Sequence, residues 1–413
     1  MQNFTGFEYL LIDLANQADK DKLTFQNRIE WAKDTIPYME SLADTVGKTK
    51  PLYLKACMAI RKAMNKQPMG HMVAMDAVCS GLQIMSVLTN CESGARATGL
   101  INPDIRSDAY GEVTQTMEKI LGGSINISRD HAKKATMTAF YGSKAEPINT
   151  FGEDTKELEA FYEALEVVAP GAWALLEVLV DSWEPYALQH SWTLPDGFSA
   201  IVKVEDTEEH KIEVDELDHA TFTYYLSVNK GKKKGVSNAA NVIQSIDAYI
   251  LRSMHRRCNY DVKVVLNVLE ILKEHYINKI MGIGHSFKLE GQAAYYYDLY
   301  KKTGLVDVVI LPYITKHNIE AFSNDFKSKL FNILEGMSNY NSFELVTIHD
   351  SFASHPNNVN HVRYQYKEIL ADIAESDLLK DILTQLYRNN PQSFQYPTTS
   401  IAPQIRNSNY SLS

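Results

Sequence analysis

Cysteine is scarce and unsuited by its spacing to any staple. Four occur in 413 residues, at Cys57, Cys79, Cys91 and Cys258, with none of the close pairs that hold zinc. Reduced core thiols are expected, which sets aside a disulfide-stapled fold or a zinc module. Long apolar runs are missing too, since no stretch nears the roughly 20 residues a spanning helix needs. The start, Met1-Gln2-Asn3-Phe4, has no basic region followed by an apolar core. No membrane partner is expected, and the expected compartment is the cytoplasm, including that of an infected host. Positive charge is also in short supply: 41 Lys and Arg face 51 Asp and Glu, a net charge of −10. Such a chain does not coat nucleic acid by bulk attraction. Any nucleic-acid contact must come from local groups, for which the candidates are Arg129/Lys133/Lys134, Lys230 with Lys232-Lys233-Lys234, and Arg252/Arg256/Arg257. No internal repeat and no interdomain linker stands out.

What is present fits a globular protein with a substantial core. Hydrophobic residues make up 45% and charged residues 22%, and the length allows one large domain or two ordinary ones. Residues 24–46 and 51–66 read as helices, with Leu52, Leu54, Cys57, Ile60 and Met64 near helical spacing. Asp104 is expected to cap a helix running to Ile120 and ended by Gly122-Gly123. Ser128 is expected to cap a helix over Arg129–Tyr141. Residues 155–190 read as helical. β-prone segments follow near 192–204, 210–216 and 220–228, the first turning at Pro195-Asp196-Gly197. Helices are expected over 238–257, through most of 261–336, and over 357–388. The tail from Asn389 is rich in Pro, Ser, Asn and Gln.

Two apolar strands end in carboxylates. Met72-Val73-Ala74-Met75 runs into Asp76, and Leu345-Val346-Thr347-Ile348 runs into His349-Asp350-Ser351, after which Phe352-Ala353 resumes the pattern as the second arm of a hairpin. A strand-end Asp is more often a cap or turn residue than a ligand. Between the two lies Arg129-(x)3-Lys133-(x)6-Phe140-Tyr141-Gly142. Arg129 and Lys133 share a helix face, and Tyr141, eight residues beyond Lys133, can close it. Arg as a planar fork and Lys as a mobile charge suit a triphosphate. Two strand-end aspartates with an Arg/Lys/Tyr helix are the minimal kit of a two-metal nucleotidyl transferase.

Asp76-Ala77-Val78-Cys79-Ser80-Gly81-Leu82-Gln83 resembles motif A of the single-subunit RNA polymerases of the phage and mitochondrial type. Arg129 to Ser143, ending Thr138-Ala139-Phe140-Tyr141-Gly142-Ser143, resembles their motif B, and His349-Asp350-Ser351-Phe352 their motif C. The order is right, and weaker similarity extends to Arg28-Ile29-Glu30, Trp192 to Phe198, and Asn241 to Leu251. The resemblance implies an α/β, mostly helical fold: the palm and fingers of a right-hand polymerase, with palm from 1–95 and 244–413 and fingers from 96–243. It implies DNA-templated RNA synthesis from ribonucleoside triphosphates, with two Mg²⁺ ions on Asp76, Asp350 and the Ala77 carbonyl. Arg129 and Lys133 would grip the triphosphate, and Tyr141 would check the sugar. Gly142 would let template approach, and His349 would support the primer end. Gln244 stands where many relatives have a histidine near the sugar. Related DNA polymerases carry a Glu five residues after the motif A Asp; here Gly81 leaves room for a ribose 2′-hydroxyl. The rival readings are a DNA polymerase of the related family and a degenerate polymerase fold kept as a binding subunit.

Departures from the pattern carry their own expectations. The family's Asp-x-x-Gly-Arg segment has no counterpart, since no Gly-Arg dipeptide occurs in the chain. The expected form therefore lacks the N-terminal domain, thumb and upstream palm. It resembles the larger, catalytic chain of a phage-encoded heterodimeric RNA polymerase, with a second, smaller chain as partner. The segment 210–235, where single-chain relatives carry a promoter-reading hairpin, is short, which points to a recruiting or single-stranded-DNA-binding factor. The interval 259–342 is long and is read as a helical packing insertion.

Overall fold

A computed structural model of the chain describes residues 1–46, 49–123, 127–280, 288–387 and 399–413. Seven strands form one three-stranded and two two-stranded sheets among these residues, and helices fill most of the remainder. In the first sheet β1 (Val73–Asp76) and β6 (Val346–Ile348) both pair antiparallel with β7 (Ser351–Ser354), in the order β1-β7-β6. Alternation sets its faces: Val73, Met75 and Phe352 are buried on one side, while Asp76, Val346 and Ile348 emerge on the other. The register Asp76↔Ser351 brings the end of β1 beside the β6–β7 turn.

Helices wrap the buried face of that sheet. Every residue from Gly81 to Leu88 of the Ser80–Leu88 helix is buried, packed against Val359–Ala374 and Ser237–Cys258. The Gly6–Gln17 helix starts from a capping box, in which the Glu8 amide donates to Thr5 Oγ1 at 3.3 Å and the Thr5 amide to Glu8 Oε2 at 2.8 Å. Residues 24–46 split into an α-helix, Phe25–Thr35, and a 3₁₀ stretch, Ile36–Thr45; Pro37 at its start removes an amide donor. The fully buried Arg28 braces the 16–23 loop, donating to the Leu23 and Asp21 carbonyls and to Asn16 Oδ1.

Several boundaries differ from the sequence reading. Asp104 caps nothing: the chain from 102 to 107 is irregular, and the helix is Ala109–Ile120 with Asp108 at its N-cap. Gly122 and Gly123 do end it, both at positive φ. Ser128 is the N-cap of Arg129–Ala139, but its side chain makes no capping hydrogen bond. Residues 155–190 form two helices, Lys156–Val168 and Pro170–Asp181, separated where Pro170 cannot continue the first.

β2 (Gln189–Thr193) and β3 (Ser199–Lys203) form a hairpin whose Trp192 is buried and donates to Ser245 Oγ at 2.9 Å. β4 (Glu205–Val214) and β5 (Ala220–Asn229) form a second, longer hairpin. It begins ahead of the 210–235 segment, and each strand is ten residues long, so the arm reaches further than that segment's length suggests. A satellite core from Val265 to Met337 lies wholly within 259–342, separate from the main core. Of the polar tail, 389–398 lies outside the described residues. Residues 402–413 are packed inward: Arg363 donates to the Asn409 carbonyl, Lys367 to those of Arg406 and Ser408, and Gln83 to that of Ser411. No helix among the described residues is long and apolar enough to cross a membrane.

Candidate active site

Both strand-end carboxylates open into one cleft of about 690 Å³. Its walls include Asp76, Ala77, Gly81, Arg129, Lys133, Tyr141 and Asp350, so seven of the residues singled out by sequence meet there. Asp76 is exposed at the end of β1, and Asp350 is half-buried in the β6–β7 turn. The Ala77 amide donates to the Asp350 carbonyl at 3.2 Å, and the Ser413 amide to the Asp76 carbonyl at 3.0 Å, which pins the two strand ends side by side. Burial, and next the charge of Asp76, push the Asp350 carboxyl upward. No ion pair to either carboxylate occurs among the described residues. Two like-charged, hard oxygen donors facing one space are the donor set that magnesium takes. One further trio of potential ligands, Glu213, Asp215 and His219, sits exposed on the β4–β5 arm, away from this cleft wall.

The Arg129–Ala139 helix faces the Ser80–Leu88 helix across the cleft. Tyr141 approaches Gly81 so closely that a Cβ there would overlap the tyrosine hydroxyl and come within 2.8 Å of Cζ. The room left by Gly81 is therefore the seat of Tyr141. Burial, the main cause, raises the phenol well above its ordinary range, with Cys79, Asp247 and Asp350 adding to it. The proton stays on, and the hydroxyl is kept as a donor.

The two cations of the helix differ. Arg129 is held in a bidentate pair with Asp108, Nε–Oδ2 at 2.6 Å and Nη2–Oδ1 at 2.7 Å. Lys133 has no carboxylate partner among the described residues, and its Nζ lies 5.7 Å from the centre of the Tyr110 ring. Arg129 stands over the same ring at 5.8 Å.

Three sequence-chosen residues lie elsewhere. Gln244 is exposed on the Ser237–Cys258 helix and is not part of the cleft wall. About one turn on, the half-buried Asp247 takes the inward place. Its carboxyl is pushed up to about 6 by burial and then by the Asp350 charge, with His349 opposing. His349 is exposed at φ 55° in the turn, outside the cleft wall, and bears on Asp350 and Asp247 through its charge. Gly142 has φ 83°, and its Cβ position looks onto Leu176, Val180 and Val236 at 3.7–3.8 Å. Its glycine serves the chain reversal after the helix, with its amide on the Ala139 carbonyl at 2.9 Å.

Of the proposed basic patches, the arginine one is spent on structure and the lysine one in part, Lys233 and Lys234 standing exposed. Arg252 and Arg256 both pair with Asp196 at the β2–β3 turn, Arg256 also with Asp307, and Arg257 with Asp372. Lys230 and Lys232 pair with Glu208 and Asp206. Sequence reading missed Arg106, Asp108 and Tyr110, which line the cleft beside Lys133. Asp108 and Tyr110 flank the start of the Ala109–Ile120 helix, and the helix start misassigned to Asp104 concealed them.

Comparison with known proteins finds similarity over the first part of the chain. Residues 2–150, which hold Asp76, Gly81, Arg129, Lys133 and Tyr141, match the family model of the DNA-dependent RNA polymerases. A protein described as a probable DNA-directed RNA polymerase of Neurospora crassa is 28% identical over 161 residues, covering 34% of this chain and 18% of its own length. The DNA-directed RNA polymerase of Pseudomonas phage phiKMV is 27% identical over 172 residues, covering 33% of this chain and 21% of its own. The chain thus spans about a fifth of the length of these curated relatives. Through residues 2–150, the chain is similar to the DNA-dependent RNA polymerases, one of a phage among them.

Proposed function

We propose that this chain carries the catalytic centre of a phage-type DNA-directed RNA polymerase. In this reading residues 1–95 and 244–413 are palm and 96–243 fingers. The observation that carries it is the meeting of Asp76, Asp350, Lys133 and Tyr141 in one cleft from three separated stretches of chain. In the reaction the RNA 3′ oxygen bonds to the α-phosphorus as the bond to pyrophosphate breaks. Asp76, Asp350 and the Ala77 carbonyl would hold magnesium, which supplies charge stabilisation at the attacking and leaving oxygens. Lys133, the cation without a carboxylate partner, binds and aligns the triphosphate. Arg129 reaches it by giving up Asp108. Tyr141, seated against Gly81, presents its hydroxyl toward the sugar. A bulky Glu at position 81 would displace that ring.

The test uses the complete enzyme containing this chain, on a primed DNA template. Asp76→Asn and Asp350→Asn are expected to abolish magnesium-dependent ribonucleotide addition while template binding and fold persist. Residual activity above about a tenth of wild type in either variant rejects the paired-carboxylate assignment.

A further inference from the structure

The β4–β5 arm is a surface without a partner. None of residues 205–229 is buried, and no third strand joins either edge among the described residues. A lone two-stranded ribbon is marginal in water. The register Ile212↔Phe222, His210↔Tyr224 and Glu208↔Leu226 puts an apolar stripe on one face. Its members Ile212, Phe222, Tyr224 and Leu226 are 50, 53, 40 and 45% exposed. His210 extends the stripe by stacking on Tyr224 at 5.3 Å. The opposite face carries Glu209, Lys211, Glu213, Thr221, Thr223 and one exposed aromatic, Tyr225. An apolar face of this kind, continuous and rimmed by charge, is an interaction surface.

Charge decides what covers it. From Glu208 to His219 the arm holds six carboxylates and a single lysine, Lys211. At its base Lys230 and Lys232 pair with Glu208 and Asp206 while Lys233 and Lys234 stand exposed, so the negative charge is concentrated toward the tip. A nucleic-acid backbone is repelled there. A protein with lysines and arginines around an apolar recess is attracted and oriented.

We propose that the β4–β5 arm docks a basic protein, with Phe222, Tyr224 and Leu226 as the anchors and the tip carboxylates as the steering rim. The arm then serves as a protein-docking surface and does not itself bind the nucleic-acid backbone. The proposal does not depend on the catalytic reading, since docking is measured without nucleotide addition.

The experiment places a photo-crosslinking amino acid at position 224 or, on the opposite face, at 225, in the full chain inside its native cells. A protein joined from 224 and not from 225 is identified, purified and titrated against wild-type chain, Phe222→Ser/Leu226→Ser and Glu213→Lys/Glu216→Lys. The expected result is a basic protein whose affinity falls about tenfold or more in each variant and weakens with salt. Circular dichroism of the variants should match wild type, because the arm is peripheral to both cores. Duplex and single-stranded DNA are titrated in parallel. Crosslinking to DNA, DNA binding lost in Phe222→Ser/Leu226→Ser, self-association through position 224, equal crosslinking from 225, or no crosslinked protein would each overturn the proposal.

Discussion

Gly81 and Tyr141 lie 60 positions apart in sequence yet share one space. A methyl group at 81 must push the tyrosine ring, and overpacking of this kind costs about 1–3 kcal/mol. Gly81→Ala should therefore slow ribonucleotide addition by roughly tenfold or more, that energy being spent in the reacting complex. Tyr141→Phe alone should weaken rejection of deoxynucleotides more than it slows ribonucleotide addition, because the lost hydroxyl is a recognition group. In Gly81→Ala/Tyr141→Phe the two effects should fall short of their sum, since the smaller ring relieves part of the overlap. Strict additivity in rates on a primed template would mean the residues do not meet in the working enzyme. The cations separate in the same way. Lys133→Ala should raise the nucleotide KM about ten- to a hundredfold, the worth of a charged hydrogen bond. Arg129→Ala should raise it less and lower Tm, because its guanidinium is already engaged by Asp108. Equal KM effects with unchanged Tm would mean that Asp108 does not hold Arg129 in the working enzyme.

The Val359–Ala374 helix carries His361, Arg363 and Lys367 on its buried side, an arrangement that ties its stability to pH. His361 is fully buried beside Tyr340, and burial drops its pKa from the ordinary 6.5 to about 4. The unfolded chain then binds the extra proton first. Stability is full above pH 6.5 and falls as pH is lowered through the window down to about 4. Between pH 7 and 4.5 the wild type should lose about 2 kcal/mol more than His361→Gln in urea unfolding. A pH slope that the substitution leaves untouched would assign acid sensitivity to the carboxylates instead. Nothing in the sequence marked that histidine as buried; periodicity places a helix without saying how many sides are covered. Elements that follow from local chemistry were legible: the β6–β7 hairpin around His349-Asp350, the end at Gly122-Gly123, and the helix over 238–257. What failed depended on long-range partners. The inward packing of 402–413 rests on Arg363, Lys367 and Gln83 from far upstream. The inward turn of Asp247, with Gln244 left outside, follows from how its helix seats against Val359–Ala374 and Ser80–Leu88, which residue types do not encode.

Across the whole molecule, the sheet that carries both aspartates is unfinished on one side. β7 is flanked by β1 and β6, while the outer edge of β6 has no neighbour among the described residues. Beside that edge Val346 and Ile348 are 45 and 67% exposed. An open edge with exposed apolar side chains is a pairing site that stable proteins cover. We propose that it is covered by a polypeptide segment outside these 413 residues, one bearing the Asp-x-x-Gly-Arg sequence that they lack. The satellite core of 265–337 and the β4–β5 arm do not fill this role, since neither adds a strand beside β6. On this reading these 413 residues alone should be inactive or nearly so, and adding a polypeptide that carries the segment should restore transcription, more strongly on single-stranded than on duplex template. Val346→Lys/Ile348→Lys should weaken the pairing and the restored activity together while leaving the far-ultraviolet circular dichroism of the isolated chain unchanged. The measurements are co-purification and run-off transcription with and without that polypeptide. Full promoter-specific transcription of duplex DNA by the isolated chain would remove the need for a covering segment, and restored activity undiminished by Val346→Lys/Ile348→Lys would move the junction away from β6.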